Sequence, residues 1–163
     1  MATFTNAATL SYNGNTLVSN TVTGTLQELL TVSKTAVGGT YAPNGEAVFA
    51  VSLVNSGTAA LTGLTLNDNL GAYAYNTSTL YPLTYIDGSI QYYINGVLQA
   101  APTATAGPPL VISGINVPAG GNALLVYKAK VNEYAPPAQE STITNTVSVT
   151  GAGISAAVTD QAV

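Results

Sequence analysis

The chain has no cysteine, no histidine and no tryptophan among its 163 residues, and only 6% of them are charged. Without thiols, disulfides and thiolate metal sites are excluded. Without histidine as well, no Ser-His-Asp or Cys-His catalytic arrangement can be assembled. Three basic side chains leave no stripe able to displace counterions from a phosphate backbone, so nucleic acid is set aside as a partner. A surface helix rich in Lys and Arg is equally missing. No apolar run nears the roughly 20 residues a helix needs to cross a bilayer, so membrane insertion is set aside too. Seven acidic groups against three basic ones give a net charge of −4. Carboxylates so few and so scattered nominate no acid/base pair. The expectation is a chain that is not an enzyme and takes no cofactor. The first residues, Met1 to Asn6, carry neither a basic n-region nor an apolar h-region and so are not a signal peptide. Either the chain is a processed or recombinant form or it leaves the cell by another route. Release of the mother-cell contents in a spore-former would be such a route.

What the chain does have is apolar bulk, 47% of its residues, with Thr, Val and Ala dominant and 16 glycines. A disordered chain shows the reverse balance of charge to hydrophobicity. Thr, Val, Ile and Tyr fit a pleated, half-buried surface, and glycine marks the turns between strands. The length suits one domain with a substantial core.

Strand-like runs recur along the whole sequence between turn signals. Phe4 to Tyr12 and Leu17 to Leu26 flank Asn13-Gly14, a hairpin signature. Runs follow at Leu29 to Ala36, Ala47 to Asn55, Leu61 to Leu70, Ser89 to Ile94 and Val97 to Gln99, the last two around Asn95-Gly96. Leu110 to Ile115, Asn122 to Val131, Ser141 to Thr150 and Ile154 to Thr159 complete the set. Only Thr25 to Leu30 hints at a helix, and it is too short to stand alone. Ala101 to Pro109 and Tyr134 to Pro137 are expected to be loops, because proline removes ladder donors. Many short strands at this spacing predict an all-β sandwich. The chain also begins with an echo of its own end. Phe4-Thr5-Asn6 opens a strand, a Gly14 turn and a second strand, and Ile143-Thr144-Asn145 does the same around Gly151 to Gly153.

From Val32-Ser33-Lys34-Thr35 onward the sequence resembles a known family. The features are Tyr41-Ala42-Pro43-Asn44-Gly45, Phe49 to Thr58 with its Val54-Asn55-Ser56-Gly57-Thr58 ending, Leu64 to Leu70 with Asn67-Asp68-Asn69-Leu70, and Ile143 to Thr146. Together they resemble the conserved-repeat domain of bacterial and archaeal surface and fimbrial proteins, a domain of unknown function. The resemblance covers about the last four-fifths of the chain. It implies an immunoglobulin-like sandwich over residues 27–163, a structural or adhesive role and no enzymatic activity; the expected location is extracellular, on a cell or spore surface.

Residues 1–26 then stand outside the family-like unit. A lone hairpin is marginal in water, since one apolar face stays uncovered, and open sheet edges invite pairing with another chain. Both problems vanish if the hairpin adds to the sheet edge of a neighbouring copy, a β-augmentation. A head-to-tail contact that does not close gives a filament. The expected partner is therefore the chain itself. The donor residues would be Phe4, Ala8, Leu10 and Tyr12, with Leu17, Val18 and Val22 on the second strand. The alternative in cis is that these strands extend their own sandwich.

Strand parity singles out a further set. Lys34 shares a face with Leu30 and Val32, Asp68 with Leu66 and Leu70, and Asn145 with Ile143, Val147 and Val149. A buried neutral Lys34 beside a carboxylic acid, Asp68, could attack the Asn145 amide to give an intramolecular isopeptide bond, as in pilin domains of related fold. Against this, lysine stems snorkel to sheet ends, and Asp68 and Asn145 sit where they can cap backbone donors. Asn67, Asp68 and Asn69 offer oxygen ligands for Ca²⁺ without EF-hand spacing, so no metal is assigned. Asn76-Thr77-Ser78 is a glycosylation sequon. Tyr73, Tyr75, Tyr81, Tyr85, Tyr92 and Tyr93 are candidates for a carbohydrate platform of a host or surface glycan, or else for core and cross-strand pairs. A glycan-binding adhesin module and an S-layer component are the rival functions.

Overall fold

The computed structural model describes residues 3–25, 29–138, 141–154 and 157–162. The chain opens with four short strands, β1 (Thr3–Asn6), β2 (Thr9–Tyr12), β3 (Asn15–Val18) and β4 (Val22–Thr25). β2 pairs with β3 and β1 with β4, so they form one long hairpin interrupted on both sides. Its tip is Asn13-Gly14, both at positive φ (50° and 76°), the backbone a primed two-residue turn requires. The two continuous strands expected from the sequence are broken at 7–8 and 19–21. There Ser19 Oγ accepts the Ala8 N–H, and the Ser19 N–H bonds the Ala8 carbonyl. Serine's local bonding to backbone competes with the ladder at that point.

The remaining elements are β5 (Leu30–Val37), β6 (Glu46–Asn55), β7 (Leu61–Asp68), β8 (Tyr73–Tyr75), β9 (Ser78–Leu80), β10 (Leu83–Tyr85), β11 (Gln91–Ile94), β12 (Val97–Gln99), β13 (Thr103–Thr105), β14 (Leu110–Val117), β15 (Asn122–Val131), β16 (Asn145–Thr150) and β17 (Val158–Ala162). One sheet runs β12-β11-β15-β6-β5, with β10 also on β15; the other runs β13-β14-β7-β16-β17. The fold is an immunoglobulin-like β-sandwich. Its core lies between the sheets, where Val51, Leu53, Leu125 and Tyr127 of the first meet Leu64, Leu66, Ile112 and Val147 of the second, all fully buried. Phe49, Val51 and Leu53 alternate inward along β6, as period two demands.

Several expectations need correction. Thr103–Thr105 is a strand rather than part of a loop: it pairs with β14 at a sheet edge, where flanking prolines cost no ladder bond. β7 stops at Asp68 because Leu70 and Gly71 both take positive φ and turn the chain. β16 starts at Asn145 and not at Ser141, and β17 lies four residues later than the sequence suggests. The turn through Gly151 and Gly153, closed by the Ile154 N–H on the Gly151 carbonyl, sets that register. β8, β9 and β10 are three-residue strands with too little alternation to stand out. Of the hinted helix, Thr25 closes β4 and Leu30 opens β5, while 26–28 lie outside the described residues.

Candidate functional site

Alternation along four strands sends polar groups into the sandwich core. On β5, Leu30, Val32 and Lys34 point inward; on β7, Leu64, Leu66 and Asp68; on β16, Asn145, Val147 and Val149. β15 adds Tyr127 between Leu125 and Ala129. These groups converge on one atom, Asp68 Oδ2. Lys34 Nζ donates to it over 2.8 Å, Asn145 Nδ2 lies 3.4 Å away, and the Tyr127 hydroxyl donates to it as well. The Lys34 and Asp68 side chains are completely shielded from solvent, and Asn145 and Tyr127 are fully buried. Lys34 therefore does not snorkel.

The surroundings complete the site. Asp68 Oδ1 accepts the Leu70 N–H at 2.8 Å, so the capping role open from the sequence operates alongside the ion pair. Asn145 Oδ1 accepts the Gly71 N–H at 3.2 Å. The Phe49 ring sits 4.8 Å from Lys34 Nζ and the Tyr127 ring 5.9 Å away, placing the amine over aromatic faces. From β17, Asp160 Oδ2 accepts the Lys34 backbone N–H at 2.7 Å. Among the described residues, no buried side-chain donor or acceptor lacks a partner.

Burial pulls the Lys34 amine down from its usual 10.5 to about 8, against the opposing pull of Asp68 and, more weakly, Asp160. Burial, with the Asp68 charge and the Tyr127–Asp68 hydrogen bond behind it, holds the Tyr127 phenol well above its ordinary value. The stability consequence has a definite sign. Between pH 8 and 10.5 the unfolded chain binds the Lys34 proton more tightly than the folded one, so stability rises with pH across that window. Tyr127 opposes the rise above pH 10, where it would ionise only in the unfolded chain. In an Asn145→Ala chain, which keeps a free Lys34 amine, the urea midpoint is expected to climb from pH 8 to 10 relative to the Lys34→Met, Asn145→Ala double variant. A constant difference between the two would contradict this assignment.

Tyr127, Gly71 and Asp160 were not singled out from the sequence. The parity of β15 carried the signal for Tyr127, whereas nothing local marks the Gly71 N–H or Asp160, which arrive from a turn and from the last strand. The resemblance-bearing Asn55 has a structural part. Its amide nitrogen donates to the Ala59 and Pro118 carbonyls at 2.8 and 3.0 Å, and its oxygen accepts the Gly57 N–H. That ties the end of β6 to the β14–β15 turn.

The other candidates spread apart. Phe4, Leu10, Tyr12, Leu17, Val18 and Val22 of the N-terminal arm are all 60% exposed or more, and Ala8 is exposed. Tyr85 and Tyr92 are core residues, Tyr92 bonding Asn116, while Tyr75 is exposed and Tyr73, Tyr81 and Tyr93 are half-buried. The six tyrosines do not share one face. Asn76 stands exposed at the β8–β9 turn. Asp68 is committed to Lys34, and no group of three acidic, His or Cys ligands occurs among the described residues.

No protein-family model matches the chain, and no curated protein matches it by sequence. Solved structures do. The pilus backbone protein RrgB of Streptococcus pneumoniae aligns over 74% of this chain and 31% of its own, at 12% identity and a TM-score of 0.54. The fold is pilin-like. The full-length major pilin SpaD of Corynebacterium diphtheriae aligns over 82% of this chain and 33% of its own (13% identity, TM-score 0.58). BcpA, the major pilin subunit of Bacillus cereus, aligns over 97% and 46% (15% identity, TM-score 0.52). The chain thus spans less than half the length of each of these pilins. At such identities the likeness is one of fold.

Proposed function

We propose that this chain is a non-enzymatic structural subunit of an extracellular filament on a cell or spore surface. Copies join head to tail as the N-terminal arm of one adds to the sandwich of the next. The observation that carries the reading is the arm itself. Residues 3–25 hold six large apolar side chains in solvent and not one charged residue, and β1 to β4 pair only with each other among the described residues. Such a surface is stable when another chain covers it.

The same reading gives the buried cluster a role as a covalent lock. Lys34 Nζ passes a proton to Asp68 Oδ2 and attacks the Asn145 side-chain carbonyl carbon. The Gly71 N–H steadies the oxygen as charge gathers on it. Both protons that Lys34 Nζ gives up move in turn through Asp68 to the departing nitrogen. The bond from Lys34 Nζ to Asn145 Cγ forms, the Asn145 Cγ–Nδ2 bond breaks, and the nitrogen leaves as ammonium while Asp68 ends as the carboxylate it began. What supports this is the sharing of one carboxylate oxygen by amine and amide in a dry, aromatic-lined setting.

Negative-stain electron microscopy of the full chain beside a version lacking residues 1–26 tests the assembly. Filaments are expected only from the full chain. Filaments from both would remove the arm from the mechanism, flat arrays would indicate paving, and folded monomers from both would move glycan binding to the front.

A further inference from the structure

We infer that a groove at the pole of the sandwich opposite the arm receives the arm of a second copy. The inference rests on the donor-arm reading and adds its docking site. The arm joins the sandwich where β5 begins, at Leu30, and β5 ends at Val37. At about 3.3 Å per residue those two ends lie roughly 23 Å apart. At the Val37 end a cavity of about 90 Å³ opens between β5, the start of β6 and the segment Ser141–Ile143. One water needs roughly 10–15 Å³ on this measure, so the space suits an aliphatic side chain.

The chemistry of the groove matches the arm. Ala36, Val37, Phe49, Leu83 and Ile143 form its apolar walls, and none of its lining residues is charged. Val37 stands at the mouth, 59% exposed. Residues 141–143 line the groove and 141–144 lie outside any strand, whereas Asn145–Thr150 is laddered in β16. That leaves a short stretch of edge beside which a strand can lie. The arm is an uncharged apolar segment whose Phe4-Thr5-Asn6 repeats the pattern of Ile143-Thr144-Asn145 at that edge. In its own subunit the arm departs from the opposite pole with its apolar side chains in solvent, so the occupant is the arm of another copy. Donor at one pole and acceptor at the other make a head-to-tail contact that propagates without closing.

The test keeps the full chain. Because the protein has no cysteine, a Val37→Cys chain mixed with a Leu10→Cys, Leu17→Cys or Val22→Cys chain can form disulfides only at engineered positions. At least one arm position is expected to give a mixed disulfide dimer under assembling conditions. The Val37→Asp chain, altered at an exposed side chain, is expected to melt like the wild type and to lose its filaments. Wild-type filaments that survive Val37→Asp, with no arm position cross-linking, overturn the groove and leave arm donation standing. A wild type that forms no filaments overturns the donor-arm reading itself.

Discussion

Weighed intact after purification, the chain is expected to be one ammonia lighter than its sequence, and its Lys34→Ala variant to carry the full mass of its own. The comparison matters because Asn13-Gly14, Asn44-Gly45 and Asn95-Gly96 can each lose ammonia by cyclising, and all three persist in the variant. A branched peptide joining the Lys34 and Asn145 segments would place the bond; equal losses in both chains would sink it. The expected effect on stability is large. The link would close a loop of about a hundred residues, and restraint on that scale removes enough freedom from the unfolded chain to contribute on the order of 5 kcal/mol. For a domain of this size that corresponds to a melting temperature lower by about 10–20 °C in the unlinked variant.

The second large effect concerns the carboxylate at the centre. Asp68→Ala, made in an Asn145→Ala background so that the cross-link drops out of the comparison, leaves Lys34 Nζ and the Tyr127 hydroxyl buried without their acceptor and takes the cap from the Leu70 N–H. Removing one member of a buried ion pair costs about 3–5 kcal/mol, because the other charge is left uncompensated. Replacing both partners by apolar groups, Lys34→Met with Asp68→Leu, is expected to recover most of that loss in urea titrations. If the double variant is as unstable as Asp68→Ala, the cost comes from the turn at Leu70 and Gly71 rather than from the stranded amine.

Period-two alternation is a strong signal wherever a strand is long and one-sided. β6 and β15 could be read almost to the residue, and the inward placement of Lys34, Asp68 and Asn145 followed from their neighbours' parity. Parity says which face a residue occupies and not which residues meet across the sandwich. Asp160, and the Gly71 N–H presented by a left-handed turn, came into view only with the register of β16 on β17 and the turn after β7. Short elements were the least legible. Thr103–Thr105 is too brief to alternate and lies between prolines, and the breaks in the arm depend on side-chain bonds from Ser19 that compete with a ladder of nearly equal strength. The exposure of the arm's apolar side chains was legible only through the resemblance that left residues 1–26 outside the sandwich, because composition alone does not separate an exposed strand from a core strand.

β5 is the first strand of the sandwich after the arm, and Lys34 of the buried cluster sits in its middle, which bears on how a filament would take tension. A pull on a docked arm arrives first at Leu30. With Lys34 bonded to Asn145 in β16, the force passes from the fifth residue of β5 straight into the late strands, and β6 to β15 drop out of its path. Only the few residues from Leu30 to Lys34 can then be drawn out, a distance of roughly 15 Å. The filament would behave as a chain of short, nearly inextensible links, its stretch confined to the junctions between subunits.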